Sequence, residues 1–223
     1  MFDIGANLTS SHFSKDLDVV LNDSLKAGVE KICITSSNLD DVKNAKKITE
    51  KYKNLYYSVG FHPHNAKDFK IEFLKDMSVY LNDPKAICLG EMGLDFNRNF
   101  SSKEEQILCF ESQLSLANSI SKPLFLHQRD AHEEFLSVLD NHKFNQKLIV
   151  HCFTGNLSEL EEYLKRDFYI GITGWVCNLK RGKELRECIN QIPEDKLLIE
   201  TDSPYLSPVS YTHLRAHETT TDL

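Results

Sequence analysis

Histidine and carboxylate side chains in this chain stand where short apolar runs stop. Asp3 lies in the first run, His62 and His64 follow the third, Glu91 closes the fourth, His127 the fifth and His151 the sixth, and Asp202 follows the eighth. Imidazole and carboxylate are ligands for divalent cations. A mixed set of Glu91, His127, His151 and Asp202 suits Zn, Mn or, with retained waters, Mg. An open site of this kind lowers the pKa of a bound water toward neutrality, and two cations about 3.5–4 Å apart can clamp both oxygens of a phosphodiester displacement. Asp202 or His62 could then receive the proton. A single buried histidine is more often a hydrogen-bonded core residue, but such groups at successive run ends point to a built centre.

These residues are far apart in sequence, so the fold must gather them. The spacing predicts strands over 2–5, 31–35, 55–60, 86–91, 124–127, 148–152, 168–172 and 196–201. Amphipathic helices are predicted between them over 14–27, 39–52, 69–81, 103–119, 131–142, 157–165 and 182–189. Regular alternation needs crossover connections and hence parallel strands, and eight units fit a closed (β/α)8 barrel better than an open doubly wound sheet. Gly5-Ala6-Asn7-Leu8 also lacks the glycine-rich phosphate turn of a dinucleotide fold. In a barrel the strand ends share one mouth. Alternation of side chains groups Glu91 with Leu89 and Ile87, and His151 with Ile149.

Composition narrows the class further. Of 223 residues 41% are hydrophobic and 26% charged, which excludes collagen-like, coiled-coil and disordered chains. No apolar run reaches the roughly 18 residues of a membrane span, and the start does not read as a signal peptide. The six cysteines, Cys33, Cys88, Cys109, Cys152, Cys177 and Cys188, form no C-x-x-C pair and read as thiols of a reducing compartment. A net charge of −7 argues against general nucleic-acid binding, so any such contact is local and metal-assisted. Arg98, Arg129 and Lys180-Arg181 follow strands and could meet phosphate. Asp202-Ser203 has no nucleophile elbow around it, Cys152 points away from the face of His151, and His12, His132 and His142 read as surface or packing residues.

Four stretches make a more specific match. Asp3-Ile4-Gly5-Ala6-Asn7-Leu8, Gly60-Phe61-His62-Pro63-His64, Gly90-Glu91-Met92-Gly93-Leu94-Asp95-Phe96 and Ile199-Glu200-Thr201-Asp202-Ser203-Pro204-Tyr205-Leu206 resemble the TatD family of metal-dependent deoxyribonucleases. Residues 123–131 and 151–155 add two further signatures in the expected order. The resemblance covers residues 1 to about 208 and implies a (β/α)8 barrel of the amidohydrolase type. It also implies 3′-to-5′ exonucleolytic hydrolysis of single-stranded or damaged DNA by a cytoplasmic, monomeric enzyme that uses Mg. By resemblance Glu91, His127, His151 and Asp202 hold metal, and Asp202 and His62 are catalytic. The alternatives are a hydrolase of amides, lactones or aminoacyl esters, which the same barrel would serve, and an inactive metal-binding scaffold.

Two departures from the family pattern carry expectations of their own. Many relatives begin D-x-H-x-H, whereas Gly5 and Asn7 stand at the histidine positions here, and Asn7 could supply an amide oxygen that favours Mg over Zn. After Leu206 the sequence leaves the pattern. Residues 209–223 are expected to be a foreign, poorly ordered tail in place of the closing helices, which divides the chain into a barrel of 1–208 and a non-family segment.

Overall fold

Each predicted strand pairs with the next. The computed structural model describes residues 1–208, in which β1 (Phe2–Ala6), β2 (Lys31–Ile34), β3 (Leu55–Val59), β4 (Ala86–Asp95), β5 (Leu124–Arg129), β6 (Leu148–Val150), β7 (Tyr169–Ile172) and β8 (Leu197–Ile199) form one parallel sheet in sequence order. Helices α1 (Leu17–Lys26), α2 (Leu39–Lys51), α3 (Phe73–Leu81), α4 (Lys103–Leu114), α5 (His132–Asp140), α6 (Leu157–Lys165) and α7 (Lys183–Cys188) fill the crossovers. The arrangement is the expected (β/α)8 barrel. Local signals set the helix starts: Asn38 caps α2 through the amides of Asp40 and Asp41, and Ser102 with Glu105 forms a reciprocal capping box on α4.

Strands β8 and β1 meet without a ladder, and side chains hold their seam. Asp3 accepts from the Gly5 and Thr201 amides at 3.2 and 3.0 Å and from the Thr201 hydroxyl at 2.7 Å. The Asp202 amide donates to the Gly5 carbonyl at 2.8 Å, and the Asn7 amide to the Ser203 carbonyl at 2.7 Å. Asp3 therefore closes the barrel and is not a member of the metal centre. Beyond β8 the described chain runs to Pro208 with no further helix, and an apolar groove of about 670 Å³ lined by Ile172, Leu197, Ile199 and Tyr205 lies along β7 and β8. The expectation for residues 209–223 lies outside the described residues.

A small inner cluster of Cys33, Cys88 and Phe125, with Ile4, Ile87 and Ile149 against it, fills the barrel below the mouth. Leu89 instead joins the larger core beneath the helices. Simple alternation from Leu89 would therefore turn Glu91 outward, contrary to the parity expected from the sequence. A register shift between Leu89 and Met92 inserts the extra residue that brings Glu91 to the axis. Gly90 and Gly93 make the bulge possible: their φ values are 140° and 145°, and a Cβ on either would run into the β5 backbone at Phe125 or His127.

Two glutamines on one face of α4 tie the loops of the mouth to the helix layer. Buried Gln113 accepts from the Phe61 amide at 2.7 Å and donates to the Phe61 carbonyl at 3.0 Å. Two turns earlier, buried Gln106 accepts from the Asp95 amide at 2.8 Å and donates to the Asp95 and Ser101 carbonyls at 3.0 Å each. Both side chains thus satisfy backbone groups that water cannot reach. Removing either leaves two or more buried polar groups bare at about 1–3 kcal/mol apiece. Gln106→Ala and Gln113→Ala should each lower unfolding free energy by roughly 2–4 kcal/mol in urea titrations; a change under about 0.5 kcal/mol, ordinary for surface sites, would refute the bracing role.

Candidate metal centre

Glu91 is the point on which the mouth converges. Its Oε1 lies 2.7 Å from His151 Nε2, 2.9 Å from His127 Nδ1 and 3.1 Å from His62 Nε2. Ligand atoms of His62, Glu91 and His127 all fall within 4.8 Å of one another, and His151 Nε2 is 3.3 Å from His127 Nδ1. Side chains from β4, β5, β6 and the turn after β3 therefore meet as the strand-end pattern predicted.

A second carboxylate stands behind each of two imidazoles. His127 Nε2 faces Asp95 at 3.3 Å, and Asp95 also meets His64 Nε2 at 2.8 Å and accepts from the amides of Asn97 and Arg98. His151 Nδ1 faces buried Glu200 at 3.3 Å, and Glu200 also accepts from the Cys152 amide. These outer partners fix which ring nitrogen is free to point at the centre, Nδ1 of His127 and Nε2 of His151. Sequence reasoning gave neither acid a role, although both lie inside recognised motifs. Asp95 was hidden because β4 runs four residues past Glu91, and Glu200 because it lies just beyond the short β8.

Residues at the departures from the family pattern have other duties. A Cβ on Gly5 would sit 2.5 Å from Glu200 Oε2 and 3.3 Å from Phe125 Cζ, so the Glu200 carboxylate occupies the space beside this glycine. Asn7 accepts from the Thr35 hydroxyl at 2.8 Å and donates to Asp202 Oδ1 at 2.9 Å. Its amide oxygen is engaged away from the centre, so it orients Asp202 instead of serving as the ligand expected. Among the described residues Asp202, at φ 52°, makes its side-chain contact with Asn7 and none with Glu91, His127 or His151, and Cys152 lies 3.7 Å from the Thr173 hydroxyl.

The electrostatics follow from burial and pairing. Burial opposes ionisation of Glu91, yet the charges of His151 and His62 and hydrogen bonds from His127 and His151 hold it well below the usual carboxylate range. Burial likewise opposes charging of His151 and His127, but Glu91 with Glu200 lifts the first well above normal, and Asp95 with Glu91 raises the second. His62 behaves differently: burial outweighs Glu91 and lowers it to about 4. Its Nδ1 accepts from the His64 amide at 3.0 Å, so the neutral ring carries its proton on Nε2, toward Glu91. That proton would have to leave before His62 Nε2, which lies with Glu91 and His127 at ligand spacing, could bind a cation. Burial pushes Asp202 up to about 7, against the field of His151 and with those of Glu91 and Glu200.

Comparison with known proteins matches this architecture. A sequence model of the TatD-related DNases fits residues 2–222. The chain belongs to this family. It is 45% identical to a 3′-5′ ssDNA/RNA exonuclease TatD of Citrobacter koseri and 44% identical to that of Escherichia coli K12, each over 215 residues, covering 95% of this chain and 82% of the relative. Among solved structures, a TatD-family hydrolase from Entamoeba histolytica superposes with a TM-score of 0.86 at 32% identity, covering 96% of this chain and 79% of that one. The family is metal-dependent, and the donors around Glu91 fit a divalent cation: two imidazole nitrogens, each ring held from behind by an acid, and the Glu91 carboxylate are gathered where protons now compensate the charge.

A cation bound through His127 and His151 would displace their protons, and ionised Asp202 would favour it. Mn²⁺ binding should therefore tighten from about pH 6 to about pH 8 with proton release, measured by calorimetry in buffers of different ionisation enthalpy. Affinity that ignores pH would exclude the imidazoles as ligands. Asp95→Asn should weaken the same binding by roughly 10- to 100-fold, the usual cost of losing an outer partner.

Proposed function

We propose that this protein is a Mg-dependent exonuclease that removes nucleotides from the 3′ end of single-stranded DNA or RNA. The observation that carries the reading is the buried Glu91–His127–His151 centre with Asp95 and Glu200 behind its rings, in a chain 44% identical to an enzyme that bears that name. Glu91, His127, His151 and Asp202 hold the cation. Glycine and asparagine at the two family histidine positions leave an oxygen-richer set, which favours Mg over Zn. When bound, a divalent cation supplies polarisation of a phosphoryl oxygen and a lowered pKa for the attacking water.

The chain's own groups divide the remaining work. Asp202, held by Asn7, is placed to accept the proton that the attacking water releases. His62, neutral and with its Nε2–H directed inward, donates to an oxygen that gains negative charge. Unpaired thiols throughout suit a reducing cytoplasm, and the enzyme is proposed to act as a monomer.

The test incubates the protein with 5′-labelled single-stranded DNA, single-stranded RNA and a panel of esters and lactones, each with Mg, Mn or Zn. Stepwise shortening from the 3′ end in Mg is expected. Glu91→Gln should reduce turnover by more than the roughly 100-fold that an outer partner can account for. Turnover of carbonyl substrates alone would make the nuclease assignment wrong.

A further inference from the structure

We infer that Arg129 and Arg181, braced on the indole of Trp175, form a subsite for the phosphodiester backbone of the strand held at the metal centre. The inference rests on the nuclease reading and extends it to residues outside that centre. Among the described residues, Arg166 is paired with Asp140 and Glu162, and Arg186 donates to the carbonyls of Val176, Asn178 and Leu179. The guanidinium groups of Arg98, Arg129 and Arg181 have no hydrogen bond or ion pair among those residues, and all three lie on segments leading from strand ends at the mouth. In a chain of net charge −7, cations left unneutralised beside a buried centre are poised for an anion.

Placement gives the subsite its direction. Arg129 ends β5 two residues past His127 and on the same face, about 7 Å along the strand. Trp175 lies in the turn directly after β7, with the Arg181 guanidinium 4.4 Å and that of Arg129 5.9 Å from its ring centroid. Stacking on an aromatic face holds a guanidinium without consuming its donors, which leaves them for phosphate oxygens. The supporting loop is built to hold this pose. Asn178 Oδ1 accepts from the amides of Lys180 and Arg181 at 3.2 and 2.8 Å, and its carbonyl accepts from the Gly182 amide at 2.9 Å. The neighbouring Asp130 carboxylate is taken by the Asn97 amide group at 2.7 Å and does not neutralise Arg129.

The test is binding of fluorescein-labelled (dT)12 to the protein in EDTA, followed by anisotropy over a KCl series. Arg181→Ala should bind several-fold more weakly, and the slope of log affinity against log salt should fall by about 0.7, the loss of one phosphate contact to a single strand. Arg181→Lys should restore the slope, and Lys26→Ala, at the end of α1, should leave it at the parental value. Trp175 is the only tryptophan of the chain, so its emission should change as (dT)12 is added to the parent. A parental slope in both Arg181→Ala and Arg129→Ala, or no binding of the strand, overturns the subsite whether or not DNA is degraded. Loss of slope together with a strand that survives Mg, Mn and Zn would overturn the nuclease reading and uphold the subsite.

Discussion

A carboxylate at the axis of a barrel costs several kcal/mol unless opposite charge and hydrogen bonds surround it. Glu91 is that carboxylate, and much of the mouth is arranged to make its burial tolerable. His62, His127 and His151 approach one of its oxygens within 3.1 Å, and two of them are backed by acids that would themselves be unstable there without the imidazoles. The cluster alternates acid, base, acid outward from the centre. Replacing shared protons by a divalent cation preserves that alternation, so the arrangement that stabilises the fold and the one that prepares chemistry are the same.

Backbone geometry carries the next layer of constraint. The bulge at Gly90–Gly93 turns Glu91 inward and lets β4 continue to Asp95, so one strand supplies both the central acid and the outer partner of His127. Gln106 and Gln113 then fasten Asp95 and Phe61 to α4, the latter next to His62. A helix on the outside thereby fixes the heights of two loops inside the mouth.

Much of this was legible in the sequence. All eight strands and seven helices fall where periodicity places them, because parallel barrel strands are short apolar runs bounded by amphipathic helices. Glu91, His127, His151 and His62 stood out because chemistry-bearing residues at successive run ends have no ordinary packing explanation. What escaped was whatever depended on broken periodicity or on a partner. Parity reached the correct face for His151 through Ile149, but for Glu91 it relied on Ile87, which packs against the inner cluster, and on Leu89, which packs outside it, since alternation does not reveal a bulge. Asp3 stood among the chemistry-bearing residues, and only the fold shows that Thr201, 198 residues away, is its partner. Gln106 and Gln113 resemble exposed helix residues in any one-dimensional pattern, because their partners are backbone atoms on other strands.

The seam between β1 and β8 also orders events in time. A ribosome releases His62, Glu91, Asp95 and His127 first, then His151, and later Glu200, Thr201 and Asp202. The first five strands thus emerge with the central acid and two of its imidazoles. Asp3 and Gly5 precede by far the partners that hold them, Thr201 lying 198 residues beyond Asp3. Until those partners arrive, β1 is an open sheet edge with a carboxylate beside it, a charge that discourages another nascent chain from pairing there.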